Sequence, residues 1–257
     1  MMNSLFNIIF YSVKENFKTK IYVTVVLFSM VLIFIGFLLT GLSGFEQPQR
    51  VLVNTGIAMI EIFCLILILL NSVGLFLQEV DTKNIYILLS KPISRNKYIL
   101  GRYIGFLVVI ILSIFIMCCV HIVFLKIVKW NINKEYFLTL FTIFFKSTLI
   151  TSVALLATLL TTSHLSAAII SLLLWIAGHF TSEFMFIVGK IKIKFLQVFL
   201  KITYYLIPNF QYFNIKDFFD SPDFVSKFNL IKGILYCLSY TLICLSLSCI
   251  LFKKKDL

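Results

Sequence analysis

Residues 21–42 read IYVTVVLFSMVLIFIGFLLTGL, twenty-two consecutive positions without a charge. A bilayer core about 30 Å thick is crossed by roughly 20 apolar residues in helical conformation, and this run meets that length. It is too long for the apolar region of a secretory leader, and LLTGLSGFEQ (38–47) supplies no small-residue cleavage site. The run therefore reads as a membrane-spanning helix.

Working outward, five further runs qualify, at about 57–77, 103–125, 137–161, 165–187 and 233–252. They are continuous rather than alternating apolar and polar, which argues against a membrane β-barrel. The four prolines, Pro48, Pro92, Pro208 and Pro222, all fall between runs, as they do when proline punctuates helices. Of the 257 residues 60% are hydrophobic and 13% charged, where a soluble domain carries about 25% charged residues. Mean hydropathy is +1.02. A water-soluble globular protein is excluded. The sequence predicts an all-α polytopic membrane protein with six transmembrane helices, residues 1–257 forming a single membrane domain.

The formal charge of +12 comes from 23 Lys and Arg against 11 Asp and Glu. In this setting it points to anionic lipid head groups and to membrane orientation, not to nucleic acid. With the N-terminus inside, the inner segments carry Lys14, Lys18, Lys20, Lys83, Lys91, Arg95, Lys97, Arg102 and Lys253 to Lys255. They are denser in cations than the outer ones, a weak preference for cytoplasmic N- and C-termini. Ahead of the first span, Leu5, Ile8, Ile9, Tyr11 and Ser12 can share one helical stripe. That suits an interfacial amphipathic helix, with a plain charged tail as the alternative. The connection 188–232 is long and holds KIKIKFLQVFLKITYYLIPNFQYF. It is too apolar for a solvated loop and is expected to be an interface-lying or re-entrant segment, with Lys190, Lys192 and Lys194 at head groups. All six cysteines lie in apolar runs without C-x-x-C spacing, so neither a metal site nor a disulfide framework is indicated.

The connection between the second and third spans, QEVDTKNIYILLSKPISRNKYILGRYIG (78–105), is organised differently. An acidic pair, Glu79 and Asp81, follows the span directly. An amphipathic run, Ile85 to Leu89, comes next, then a stop at Pro92, a basic cluster, and a glycine-marked start to the next helix. A short helix presenting charges and a Leu/Ile face to a protein partner has this form.

These residues carry a resemblance. The loop resembles that of the ABC-2-type transporter permeases, with E-x-[ED] at Glu79 and Asp81, L-L-S-K-P-x-S-R at Leu88, Leu89, Ser90, Lys91, Pro92, Ser94 and Arg95, and G-[KR]-[YF] at Gly101, Arg102 and Tyr103. Lys83-Asn84 stands where many members carry Gly-Thr. YYLIPNFQYFNIKD (204–217) is similar to the family's P-N-x-x-x-F element, and LFKKKDL (251–257) to its usual ending. The resemblance implies that the loop is cytoplasmic, and hence that both termini are. It further implies a permease subunit of an ATP-driven exporter in the cytoplasmic membrane, paired with a second permease copy or a paralogue. A separate ABC ATPase subunit would bind ATP and magnesium, and no cofactor is expected in this chain. The sequence has no G-x-x-x-x-G-K-[ST] for nucleotide phosphates. Glu79, Asp81, Ile85, Leu88, Leu89, Lys91, Pro92 and Arg95 would then couple the permease to the ATPase, the acids and bases as polar contacts or braces and the Leu/Ile face as anchor. Lys97 and Arg102 are expected to be head-group anchors.

Ionisable groups inside spans cost about 2.5–3.5 kcal/mol each at mid-bilayer and so invite a reason. They are Glu61 in the second span, His121 in the third, Lys146 in the fourth, and His179 and Glu183 in the fifth. His179 and Glu183 are i,i+4, a spacing that puts both on one face of a continuous helix. Glu61, His179 and Glu183, balanced by Lys146, are the candidates for a translocation path or outer gate; a head-group rim with one structural ion pair is the competing reading. His121, near a span end, is expected at the interface. Two other classes stay in view. A membrane anchor for a partner ATPase would carry the same loop. An intramembrane enzyme would need an H-E-x-x-H, a G-x-S-x-G or a paired intramembrane Asp, none of which occurs.

Overall fold

The computed structural model describes residues 2–16, 22–41, 48–70, 94–129, 134–191, 193–215 and 230–254. Of these 93% are helical and none is in a strand, as a backbone without water to bond requires. The helices are α1 (Met2–Asn16), α2 (Tyr22–Gly41), α3 (Pro48–Ile68), α4 (Arg95–Ile127), α5 (Lys134–Leu160), α6 (His164–His179), α7 (Thr181–Lys190), α8 (Lys194–Leu206) and α9 (Leu230–Lys254), with a 3₁₀ turn at Phe210–Phe213. Residues Glu79, Asp81, Ile85, Leu88, Leu89, Lys91 and Pro92 lie outside the described residues.

By length and composition four described helices are able to cross a membrane: α3 over Val51–Ile68, α4, α5 and α9. The pair α6 and α7 makes up to a fifth. Residues 22–38 of α2 form a shorter apolar helix. The single continuous span expected over 165–187 is corrected. The chain bends by 66° between α6 and α7.

Helix α5 is the axis of the bundle, packed against α3, α4, α6, α9 and the 3₁₀ turn. It can occupy that position because its buried polar residues, Lys146 apart, are short hydroxyls, most of which bond their own backbone. Thr139, Thr142, Ser147, Thr151, Ser152 and Thr158 are buried. Thr151 Oγ1 donates to the Ser147 carbonyl at 2.6 Å and Thr158 Oγ1 to the Leu155 carbonyl at 2.6 Å. Hydroxyls satisfied one turn back are tolerated in an apolar setting, and small residues such as Ala154 and Ala157 let neighbouring helices come close. The core around this axis includes Phe28, Ile57, Ile60, Met117, Leu149 and Ala167. The outer surface is the reverse of a soluble protein's: Phe37 is 77% exposed and Phe115 66%. Large apolar side chains facing outward all round the bundle are matched to lipid.

Helix α4 has 33 residues, about 50 Å at 1.5 Å per residue, so it outruns the roughly 30 Å apolar layer. The surplus receives α1. A Cβ on Gly101 would lie 2.9 Å from Ile8 and one on Gly105 2.6 Å from Ser12. The i,i+4 glycine pair of α4 thus forms a groove for the i,i+4 pair Ile8 and Ser12 of α1, the close approach that small-xxx-small spacing permits. Arg102, between the glycines, is 1% exposed. Its Nη1 donates to Ser12 Oγ at 3.0 Å, and the rings of Tyr11, Tyr98 and Phe106 each lie 6.0 Å from its guanidinium carbon. The head-group role expected for Arg102 is therefore corrected: it is an internal pin for α1, and only Arg, with its flat, weakly hydrated fork, suits such a ring-lined place.

Filling the groove tests this packing. Gly105→Leu should cost about 1–3 kcal/mol, read as a lower unfolding temperature in detergent, and should open α1 to protease at exposed Lys14. An unchanged unfolding temperature and cleavage pattern would remove the groove from the account.

Candidate functional site

Three of the ionisable side chains come together. Lys146 lies midway along α5, Glu61 in the third quarter of α3, and His179 is the last residue of α6. Lys146 Nζ donates to Glu61 Oε1 at 2.9 Å. His179 Nε2 lies 3.0 Å from the same oxygen and 3.4 Å from Lys146 Nζ. The three atoms form a closed triangle. The Glu61 and Lys146 side chains are about nine-tenths buried, while that of His179 is 30% exposed. Buried charges of opposite sign offset each other's loss of water, and the triangle meets the edge of the bundle chiefly through the imidazole.

A second set of contacts fixes His179. Its Nδ1 is 2.9 Å from the Trp175 carbonyl, and its ring lies between those of Trp175 and Phe210, with centroids 4.5 and 5.0 Å away. Helix α6 stops here because another segment docks onto it. A Cβ on Gly178 would overlap the Pro208 carbonyl and come within 2.6 Å of the Phe210 ring, so only glycine admits the docked backbone. Gln211 Nε2 then donates to the His179 carbonyl at 2.6 Å, satisfying one of the carbonyls left open at a helix end. Asn209 joins the remaining parts. Its Oδ1 accepts from Thr181 Oγ1 at 2.8 Å and from Gln211 N at 2.9 Å. Its N donates to Tyr236 Oη at 2.8 Å and its Nδ2 to Tyr204 Oη at 3.2 Å. The PNFQYF run (208–213) is thus a plug in the break between α6 and α7, touching α8 and α9 as well.

Glu183 stands apart. It lies on α7 beyond the bend, is exposed, and accepts from Ser182 Oγ at 2.8 Å. The face shared by His179 and Glu183 requires an unbroken helix through Phe180, which the docked plug prevents; that expectation is corrected. His121 is corrected as well. It is 1% exposed, not interfacial, with Nδ1 3.0 Å from Tyr136 Oη on α5 and its ring against Gly56 of α3. Arg95 turns inward: its Nη1 donates to the carbonyls of Phe252 at 3.2 Å and Lys253 at 3.0 Å. One turn on, Tyr98 stacks on Phe252 with centroids 5.7 Å apart. A guanidinium on the last carbonyls of α9 is a favourable C-terminal cap.

The sequence marked Glu61, Lys146 and His179 as charged outliers in apolar runs. It marked Asn209 only as part of the P-N-x-x-x-F run and Gln211 not at all, and their roles appear only once Gly178 is seen beneath them. Breaking the triangle on one side separates its contributions. Lys146→Met leaves a buried carboxylate short of its cation and should cost about 3–5 kcal/mol. Adding Glu61→Gln should recover part of that loss, while Glu183→Gln should change stability by under about 0.5 kcal/mol. Unfolding in detergent measures all three, and a neutral Lys146→Met would show that the pair carries no stability.

Comparison with known proteins follows from this architecture. No curated protein matches the sequence. The family profile for ABC-2 family transporter proteins matches residues 10–257, a range that takes in every described helix at least in part, the three side chains of the triangle and the plug. This multi-pass helical membrane protein belongs to the ABC-2 family of transporter proteins.

Proposed function

We propose that the chain is the permease subunit of an ATP-driven exporter, coupling ATP hydrolysis by a separate ABC ATPase subunit to movement of a substrate across the cytoplasmic membrane. The family match over residues 10–257 carries this reading. The absence of a G-x-x-x-x-G-K-[ST] motif supports a partner ATPase. In this reading α2, α3, α4, α5, the bent pair α6–α7, and α9 are six spans, with both termini in the cytoplasm and a second permease, identical or related, alongside. The loop 78–97 contacts the ATPase. Leu88, Leu89 and Ile85 anchor it, Glu79, Asp81 and Lys91 make polar contacts, and Arg95 braces the loop's end against the C-terminal helix. The triangle of Glu61, Lys146 and His179 is a polar gate beside the path, and Glu183 lies at its approach. Closure of the ATPase dimer would shift the packed helices as rigid bodies and open or squeeze the path.

Affinity purification of the tagged chain from mild detergent tests the partnership. A Walker-A-bearing ATPase should co-purify in about equal amount and be lost on Leu88→Asp with Leu89→Asp. Recovery of the chain without any ATPase in several detergents would overturn the reading, and an ATPase that co-purifies but is never stimulated by cargo would favour a membrane anchor. The gate has its own test. In a Cys119→Ser background, His179→Cys and Glu183→Cys should react with a membrane-impermeant thiol reagent, His179→Cys at a rate that changes when nucleotide is bound to the complex. Protection of His179→Cys in every nucleotide state would reduce the triangle to a structural ion pair.

A further inference from the structure

The 3.0 Å contact between His179 Nε2 and Glu61 Oε1 raises a question of proton count. His179 Nδ1 faces the Trp175 carbonyl at 2.9 Å. A carbonyl only accepts, so Nδ1 carries a hydrogen whatever the state of the ring. A neutral ring then presents a bare lone pair at Nε2. That lone pair suits the Lys146 ammonium, 3.4 Å away, but sets two acceptors against each other at the shorter distance to Glu61. One additional proton between Nε2 and Oε1 converts that contact into a charge-assisted hydrogen bond. It also adds a positive charge beside Lys146, so the ammonium is driven away from the ring. The two states exchange the histidine's partner with little displacement: Lys146 when the ring is neutral, Glu61 when the proton is present.

The surroundings leave the triangle to decide the matter. From α3 the ring faces Glu61, with Cys64 one turn further on. From α5 it faces Lys146. The 3₁₀ turn offers only Phe210 and the uncharged Gln211, α9 offers Tyr236 at one remove through Asn209, and Glu183 on α7 is exposed and engaged by Ser182. The imidazole is the most exposed member of the triangle, at 30%. Because His179 is the residue immediately before the 66° bend, the partner it takes decides whether the end of α6 is held to α3 or to α5.

We propose that the triangle is a proton-binding latch, in which His179 takes up one proton, exchanges Lys146 for Glu61 as its partner, and thereby ties the α6–α7 bend to α3. Proton binding stands on the geometry alone; only its consequence for transport rests on the gate reading.

The chain has three histidines and two tryptophans, Trp130 and Trp175, so both readouts are simple. The full-length protein in lipid nanodiscs, labelled with ¹⁵N-histidine, is scanned over about pH 5–8, the interval in which histidines change charge. His179, assigned by its absence in His179→Asn, should pass from the neutral Nδ1–H tautomer to the doubly protonated ring. In Trp130→Phe protein the fluorescence of Trp175 should change with the same midpoint. Glu61→Gln and Lys146→Met should each displace that midpoint, and Glu183→Gln should not. A His179 that keeps one form across the range, or a midpoint indifferent to both Glu61→Gln and Lys146→Met, overturns the latch. If the ring titrates as expected and the ATPase activity of the co-purified complex keeps the same pH profile in His179→Gln, the latch stands and the gate reading falls.

Discussion

A lysine ammonium placed midway along the most enclosed helix of an apolar bundle has to be neutralised locally, and much of the bundle's arrangement follows from how this is done. Lys146 reaches Glu61 of α3 directly, and that carboxylate draws in the imidazole at the end of α6. The distant α3 and the consecutive helices α5 and α6 are thereby fixed at one level. In water such a pair contributes little. In this setting each partner would be costly alone, so their meeting selects one register of α3, α5 and α6 over its neighbours.

The second determinant is backbone satisfaction. A break in a membrane helix exposes carbonyls that nothing but protein can bond. The plug at 208–213 serves this purpose at the end of α6. Gln211 takes the carbonyl of His179, Asn209 takes the hydroxyl of Thr181, and Gly178 leaves the space for both. Family resemblance identified this run as a motif; its physical content is that it makes a 66° bend tolerable and holds a histidine rotamer at the bend.

Much of the fold was legible in the sequence, since long uncharged runs such as 21–42 admit few alternatives. Helices α2, α4, α5 and α9 overlie the expected runs, whereas α3 begins at Pro48, nine residues ahead of its run, and the run at 165–187 is split between α6 and α7. The misreadings share one cause, which is that they depend on contacts between distant segments. The bend at Phe180 is marked by no proline, and the polar cluster Gly178 to Glu183 reads equally well as part of one continuous span; it is the docking of Pro208 and Phe210 on Gly178 that sets it. Arg102 resembled any cation at a span end, and only the docking of α1 buries it. Glu61, Lys146 and His179 were each conspicuous as charges out of place. Their convergence was not legible, because the contacts span 85 and 118 positions along the chain and hydropathy says nothing of which helix faces which.

The Arg95 clamp bears on how the molecule is put together. The first turns of α4 receive α1, made well before them, and the end of α9, made well after; the bond from Arg95 to the Phe252 carbonyl spans 157 positions. Helices inserting in order of synthesis can settle α1 onto the Gly101–Gly105 groove early. The Arg95 and Tyr98 contacts with Phe252 have to wait until α9 has left the ribosome. Closure of this end of the bundle thus reports that α9 has been made and seated, and a chain cut short within α9 would lack that closure at the start of α4, directly after the loop on which partner docking is proposed to depend.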